Sequence, residues 1–207
     1  FSLSGNVQNI LEKRPEYMVL SKVDDLKKFL EKKITIIAGP GTTNYSRLNE
    51  ILEIIYNDET NLILDAACIE IVKSKKFSSL PIITPHEGEA AKLLGINVDE
   101  ISNKREYYAQ KISDKFSVIT VLKGYETIIT DGNKIYICKD GDSSLAFAGS
   151  GDILAGLIGS FLAQGAKRID SCLLGVSLHA YSATKSKLKR GLTANELIDL
   201  IRKNLNQ

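Results

Sequence analysis

The sequence predicts an α/β protein: a three-layer α/β/α sandwich whose central sheet is mostly parallel and ends in an antiparallel hairpin. Short apolar segments alternate with helical patterns along the chain, as in proteins built on a parallel sheet. Segments such as ITIIA, NLILD and SVITVL are apolar throughout, which is typical of strands covered on both faces. Asp131-Gly132 separates two β-rich segments and is a strong hairpin signal.

Strands and helices are predicted to alternate as far as Leu122. The predicted strands are Tyr17–Leu20, Ile34–Ala38, Asn61–Leu64, Pro81–Thr84 and Ser117–Leu122. The predicted helices are Val23–Lys32, Asn44–Tyr56, Ala66–Lys75, Glu87–Leu94 and Lys104–Asp114. With no repeat or linker, the 207 residues are expected to form one domain, residues 1–207.

The rest of the chain is predicted as the hairpin followed by three helices. The hairpin strands are Glu126–Thr130 and Lys134–Cys138, and the first two helices are Gly151–Gln164 and Ile169–Lys187. The third helix starts at a T-x-x-E capping box and ends near Asn204. The first helix has one apolar face. It also has a face of small residues that lets a neighbour approach closely: Ala155, Gly156, Gly159, Ser160 and Ala163.

Composition and charge exclude several classes of partner. The net charge of +2 is too small to favour nucleic acid or an anionic membrane. Neither an apolar run long enough for a membrane helix nor a signal peptide is recognised, so we expect a cytoplasmic protein. Cys68, Cys138 and Cys172 are far apart and are expected to be reduced thiols.

A glycine-rich segment precedes the first C-terminal helix and is the leading candidate for an anion site. Gly149, Ser150 and Gly151 place unpaired backbone N–H groups at the positive end of a helix dipole, which attracts phosphate. Two known phosphate loops are excluded: GxxxxGK[ST] does not occur, and GxGxxG fails because position 154 is Leu. Asp152, in the first turn, either caps the helix or acts as a base beside the phosphate.

Four other loops follow predicted strands. TPHEGE contains His86, which either caps the next helix or faces a ligand; LKGYET contains Lys123, either a nucleotide contact or a solvated lysine. AGPGTT contains Gly41, whose backbone can approach a flat ligand. Asp65 caps a helix or holds a water or ion. Since the carboxyl ends of parallel strands form one edge, these loops predict a single cleft for a nucleotide and a substrate.

These motifs, in the order GPG, LDA, TPHEGE, LKGYET and AGSGDILAGLIGSFLAQG, resemble the ADP-dependent NAD(P)H-hydrate dehydratases of the ribokinase-like superfamily. The resemblance extends from about Pro15 to the C-terminus. It implies a ribokinase-like fold and a lyase that repairs damaged NADH or NADPH. In the reaction that the resemblance implies, a nucleotide, ADP or ATP, would phosphorylate the ring hydroxyl of the hydrated cofactor. Phosphate would then leave, and the cofactor would be restored.

The resemblance also implies roles for individual residues. Gly41, His86 and Asp152 would contact the hydrated cofactor, with Asp152 as the catalytic base. The nucleotide would be bound by two segments: Lys123, Gly124, Tyr125, Glu126 and Thr127, and Gly149, Ser150 and Gly151. Mg²⁺ bridging the phosphates is expected, with many of its ligands supplied by the nucleotide. The expected assembly is a homo-oligomer, which the family often forms as a tetramer.

The chain departs from the family pattern at two places. Family members often read DADA where this chain has Asp65-Ala66-Ala67-Cys68, so an acid is missing at position 67. They also usually carry an extra N-terminal strand and helix, for which the segment before Pro15 is too short, and no fused epimerase domain is recognised. Two alternatives stay open: a ribokinase-like kinase acting on a small molecule such as a vitamin precursor, and a non-catalytic nucleotide-binding relative.

Overall fold

The computed structural model describes residues 34–42, 45–55, 60–188 and 190–206, together with Leu26 and Leu30. The predicted strand Tyr17–Leu20 lies outside these residues, as does most of the predicted helix Val23–Lys32. Leu26 is buried in the core, 5% exposed.

The described residues contain one six-stranded sheet in the order β1-β2-β3-β4-β5-β6. Its strands are β1 (Thr35–Ala38), β2 (Asn61–Leu64), β3 (Ile82–Ile83), β4 (Ile119–Leu122), β5 (Thr127–Thr130) and β6 (Ile135–Cys138). Strands β1 to β4 are parallel, whereas β5 runs antiparallel to β4 and β6 antiparallel to β5. The mostly parallel sheet and its terminal hairpin are therefore confirmed.

Helical segments connect the strands and follow the sheet. They are α1 (Tyr45–Ile55), a 3₁₀ helix (Ala66–Lys73), α2 (Glu87–Leu94), α3 (Val98–Asn103), α4 (Arg105–Phe116), a short 3₁₀ turn (Ser143–Leu145), α5 (Ser150–Ala163), α6 (Arg168–Thr184) and α7 (Ala194–Leu205). Three differ from prediction: the α-helix expected at Ala66–Lys75 is a 3₁₀ helix, and neither α3 nor the turn Ser143–Leu145 was predicted. No helix of the described segments is long and apolar enough to cross a membrane.

Alternate side chains of the strands enter two separate cores. Leu62 and Leu64 of β2 pack with α1, α2 and α4, whereas Ile63 packs with α5 and α6 on the other face. In β4, Leu122 belongs to the same core as Leu62 and Leu64, and Val121 belongs to the same core as Ile63. Both faces of the sheet are thus covered by helices, as the apolar strand sequences predict.

Two glycines set the position of α5 against its neighbours. Gly159 lies against the sheet, where an added Cβ would be 2.8 Å from the Cδ1 atom of Ile37. Gly175 of α6 lies against α5, with the Cγ1 atom of Ile158 at 2.7 Å from an added Cβ. The predicted small-residue face therefore allows close packing at Gly159, whereas Gly156 faces open space.

Candidate active site

A cleft of about 730 Å³ lies at the carboxyl end of β4, a volume within the range of small-molecule sites. Its wall comes from the loop after β3, the loop between β4 and β5, the segment after β6, and helices α5 and α6. The predicted site residues on this wall are His86, Lys123, Gly124, Tyr125, Glu126, Thr127, Ser150 and Gly151. The cleft thus brings together loops that the sequence placed far apart.

The start of α5, which is the positive end of that helix's dipole, forms part of the cleft wall. Gly149 is the N-cap and has φ +93°, a left-handed conformation that glycine adopts without strain. It has no side chain to bind the first N–H groups of the helix, which a Ser or Asp cap would do. The Ser150 N–H donates to the Phe147 carbonyl oxygen at 3.3 Å. The remaining N–H groups of the first turn add to the positive end of the helix dipole.

Asp152 is the third residue of α5 and its side chain is exposed. Its carboxylate makes no hydrogen bond or ion pair with any described residue. The alternative in which Asp152 caps the helix is therefore wrong. An exposed, unpaired carboxylate next to the glycine-rich turn has the freedom that a general base needs.

Lys123 lies beside this turn and is bound to a buried carboxylate. Its Nζ atom is 2.9 Å from Oδ1 of Asp65 and 3.9 Å from Oε2 of Glu89. Asp65 is 2% exposed and also accepts a hydrogen bond of 2.7 Å from the Thr84 hydroxyl. A Cβ added to Gly151 would lie 3.2 Å from the Lys123 Nζ atom, so the ammonium group lies directly against the start of α5.

Two alternatives for these residues are contradicted by this geometry. Lys123 is not a solvated surface lysine, because its side chain is 20% exposed and ion-paired. Asp65 precedes the 3₁₀ helix but makes no capping hydrogen bond with its side chain. The buried carboxylate instead orients the lysine, and nearby Gly39 lets the loop after β1 pass close to the Asp65 carbonyl oxygen.

His86 caps α2 and lines the cleft at the same time. Its Nδ1 atom accepts a hydrogen bond of 3.2 Å from the Glu89 N–H, and Glu89 Oε2 accepts one of 2.8 Å from the His86 N–H. This capping box fixes the ring, yet 61% of the side chain stays exposed. The structural and ligand-facing interpretations of His86 are therefore compatible.

The cleft also has an apolar part. Leu145 and Phe147, from the segment after β6, line it together with Leu154 of α5 and Val176 and Ala180 of α6. The cleft therefore has a positive end at Lys123 and the start of α5, and an apolar region next to it. A molecule that carries both a flat apolar group and phosphates matches this arrangement.

Sequence reasoning missed His179, which lies on α6 below the start of α5. Its Nε2 atom is 3.1 Å from the Ser150 carbonyl oxygen and 3.3 Å from the Ser150 hydroxyl oxygen. Burial lowers the pKa of His179 to about 4, so the ring is neutral at neutral pH. Because a carbonyl oxygen only accepts, the ring carries its proton on Nε2.

A comparison with protein families decides which family this chain belongs to. The model of the NAD(P)H-hydrate dehydratase family of carbohydrate-kinase-like proteins matches residues 1–204. The chain belongs to the NAD(P)H-hydrate dehydratase family. The resemblance inferred from the motifs is thereby confirmed.

Curated relatives agree with this family. The bifunctional NAD(P)H-hydrate repair enzyme of Vibrio cholerae is 33% identical over 207 residues, which cover 97% of this chain and 42% of that protein. The ADP-dependent (S)-NAD(P)H-hydrate dehydratase of Neisseria meningitidis is 40% identical over 117 residues, covering 56% of this chain and 40% of that protein. The chain thus spans only about two fifths of the length of these relatives.

Solved structures agree in fold. The ADP/ATP-dependent NAD(P)H-hydrate dehydratase of Bacillus subtilis, crystallised with ATP and Mg²⁺, has a TM-score of 0.84 at 26% identity, covering 97% of this chain and 77% of that chain. A ribokinase-like superfamily protein of Enterococcus faecalis has a TM-score of 0.83 at 22% identity, covering 97% of this chain and 74% of that chain. The predicted ribokinase-like α/β/α fold is confirmed.

Three of the site residues implied by the family resemblance do not line the cleft: Gly41, Gly149 and Asp152. Gly41 follows β1, has φ +65° and is exposed, and no described atom lies within 4 Å of the Cβ it would carry. Asp152 is next to the lining residue Gly151 but is not part of the wall. The contacts of Gly41 and Asp152 with a hydrated cofactor, which the resemblance implies, stay predictions.

Proposed function

We propose that this chain dehydrates hydrated NADH or NADPH at the expense of a nucleotide. The observation that carries the proposal is the start of α5, where Gly149 leaves backbone N–H groups free and Asp152 stands unpaired beside them. Family membership supplies the reaction, and the cleft supplies a place for the nucleotide.

We place the nucleotide in the cleft with its phosphates at the positive end. The N–H groups of Gly149 and Gly151 and the ammonium group of Lys123 would bind the phosphates. The adenine ring would lie between Phe147 and the apolar side chains of α5 and α6. The names of the relatives include both ADP and ATP, and we propose that either can serve as phosphoryl donor.

The reaction then needs a general base and a group of hydrogen-bond donors that stabilises the charge on the transferring phosphoryl group. Asp152 would take the proton of the ring hydroxyl, whose oxygen attacks the terminal phosphorus while the bond from phosphorus to the nucleotide oxygen breaks. The N–H groups at the start of α5 would stabilise the charge on the transferring group. Phosphate then leaves with the electrons of its C–O bond, a neighbouring C–H loses its proton, and the ring double bond is restored.

A magnesium ion fits this site when the nucleotide supplies most of its ligands. Within the described segments, no three His, Cys, Asp or Glu side chains converge as metal ligands. We therefore propose that phosphate oxygens and water hold most of the Mg²⁺ coordination positions, as is usual for this ion. When bound, Mg²⁺ would neutralise part of the phosphate charge.

Recovery of the ultraviolet absorbance of reduced nicotinamide tests the proposal. Wild-type protein supplied with hydrated NADH, Mg²⁺ and ADP or ATP should restore the absorbance and release phosphate. Asp152→Asn should lower kcat by about 10² to 10⁴, the usual range for loss of a general base, with an unchanged Kd for the nucleotide. Asp170→Asn is the matched control because Asp170 is the exposed third residue of α6, and it should keep full activity.

Two results would overturn this function. A phosphorylated product that accumulates without recovery of absorbance would indicate a small-molecule kinase instead of a dehydratase. Full activity of Asp152→Asn would show that another group removes the proton.

We also propose a cytoplasmic homo-oligomer, with a tetramer as the expected form. Cys68, Cys138 and Cys172 are all free, as in a reducing compartment. Leu174 and Tyr181 are exposed on one face of α6, 48% and 42% respectively, and offer an apolar surface to a second copy. Light scattering coupled to size-exclusion chromatography measures the assembly, and a monomer at all concentrations would contradict it.

A further inference from the structure

Arg105, the first residue of α4, binds the back of the loop between β4 and β5. Its Nη2 atom donates to the carbonyl oxygens of Leu122 and Lys123, both at 3.3 Å. Its Nη1 atom donates to the carbonyl oxygens of Tyr125 and Glu126, the latter at 3.2 Å. One guanidinium group thus holds four of the five carbonyl groups between positions 122 and 126.

Two residues of this loop have positive φ angles. Gly124 has φ +146°, which glycine tolerates. Glu126 has φ +55°, a left-handed conformation that costs a residue with a side chain about 1–2 kcal/mol. A Cβ on Gly124 would lie 2.7 Å from Nη2 of Arg105, so only glycine admits the guanidinium group at this distance. The loop and the arginine therefore fit one another closely.

Arg105 is itself fixed from the side of α2. Its Nε atom lies 2.9 Å from Oε1 of Glu87, whose Oε2 atom accepts a hydrogen bond of 2.6 Å from the Ser102 hydroxyl. Glu87 follows His86 in the chain, so the arginine connects the loop to the segment that carries the histidine. The side chain of Arg105 is 15% exposed and does not line the cleft.

We propose that Arg105 is a positioning residue for the nucleotide. It holds Lys123 to Thr127, all of which line the cleft, in the shape that binds the nucleotide, without touching the nucleotide itself. The inference rests on the proposed function only in taking this cleft as the nucleotide site. Lysine cannot replace the arginine, because a single ammonium group lacks the planar fork that reaches several carbonyl groups at once.

Calorimetric titration with Mg²⁺-ADP and Mg²⁺-ATP tests the inference. Arg105→Lys should raise the nucleotide Kd at least tenfold, while KM for the hydrated cofactor changes less than threefold and the far-UV circular dichroism spectrum is unchanged. Arg202→Lys is the matched control, because Arg202 is an exposed arginine of α7, far along the chain from the loop, and should bind nucleotide with the wild-type Kd.

A second variant separates positioning from folding. In Arg105→Ala, added methylguanidinium at millimolar concentration should restore part of the nucleotide affinity, which it cannot do if the substitution merely unfolds the loop irreversibly. A wild-type Kd in Arg105→Lys, or no effect of methylguanidinium on Arg105→Ala, would overturn the inference. Wild-type protein that binds nucleotide but does not restore NADH would instead overturn the proposed function, and the Kd comparison would still decide the role of Arg105.

Discussion

The ion pair between the buried Asp65 and Lys123 supports the cleft, and its contribution to the free energy of unfolding can be measured by substitution. Asp65→Asn keeps the shape of the side chain and an oxygen that can accept the Thr84 hydroxyl, which now lies 2.7 Å from Asp65 Oδ1. It removes the negative charge 2.9 Å from the Lys123 ammonium group. The lysine then remains 20% exposed and, among the described residues, keeps Glu89, 3.9 Å away, as its charged partner.

The expected loss of unfolding free energy in Asp65→Asn follows from the burial of the two groups. Removing one partner of a buried pair destabilises a protein by about 3–5 kcal/mol, since the other charge is left without compensation. Lys123 retains some solvent and Glu89, so we expect the lower end, about 3 kcal/mol. For a chain of 207 residues this lowers Tm by about 6–12 °C.

Urea denaturation and thermal unfolding followed by circular dichroism measure this loss. Glu70→Gln is the control, because Glu70 pairs with Lys92 on the surface, where such a pair contributes less than about 1 kcal/mol. The double variant Asp65→Asn/Lys123→Met should lose less than the sum of the two single variants, since it leaves no unpaired charge. A loss below about 1 kcal/mol in Asp65→Asn, or an additive double variant, would refute the reasoning.

Two further predictions concern stability. Burial lowers the pKa of His179 from 6.5 to about 4, so below pH 6.5 the unfolded chain takes up a proton more readily than the folded one, and stability falls between pH 6.5 and about 4. From pH 7 to pH 5, wild type should lose about 2 kcal/mol more than His179→Gln in urea unfolding; parallel losses would contradict this. Gly156→Ala should stabilise the protein by about 1 kcal/mol, because an added Cβ meets open space in a helix. Gly175→Ala should destabilise it by about 1–3 kcal/mol through Ile158, and equal Tm values for the two variants would contradict the packing.

Much of the fold could be predicted because it depends on local patterns. Strand sequences such as NLIL are apolar at every position, and in the structure each residue of β2 is buried. Asp131-Gly132 identifies the hairpin, because few sequences adopt so tight a turn. The position of the cleft followed from topology, since loops after parallel strands meet at one edge of the sheet.

The supports of the site could not be predicted, because each joins residues far apart in the chain. Lys123 and Asp65 are separated by 58 positions, and His179 and Ser150 by 29. Arg105 begins a helix in a segment with no motif, and its role is visible only when the guanidinium group is seen beside the carbonyl groups of the loop. Such pairings depend on how helices are placed around the sheet, which no periodicity in the sequence encodes.

The start of α5 combines a missing cap with a place on the cleft wall. Helices α2, α3 and α7 begin with capping boxes, whereas α4, α5 and α6 have no side-chain cap. Of these three uncapped helices, α5 is the one whose first turn lines the cleft. The Ser150 hydroxyl could bind an N–H of this turn, but it lies within hydrogen-bonding distance of His179. The missing cap costs about 1 kcal/mol of stability. Phosphate oxygens bound at this turn would supply the missing acceptors, so the proposed nucleotide would complete the helix as well as react.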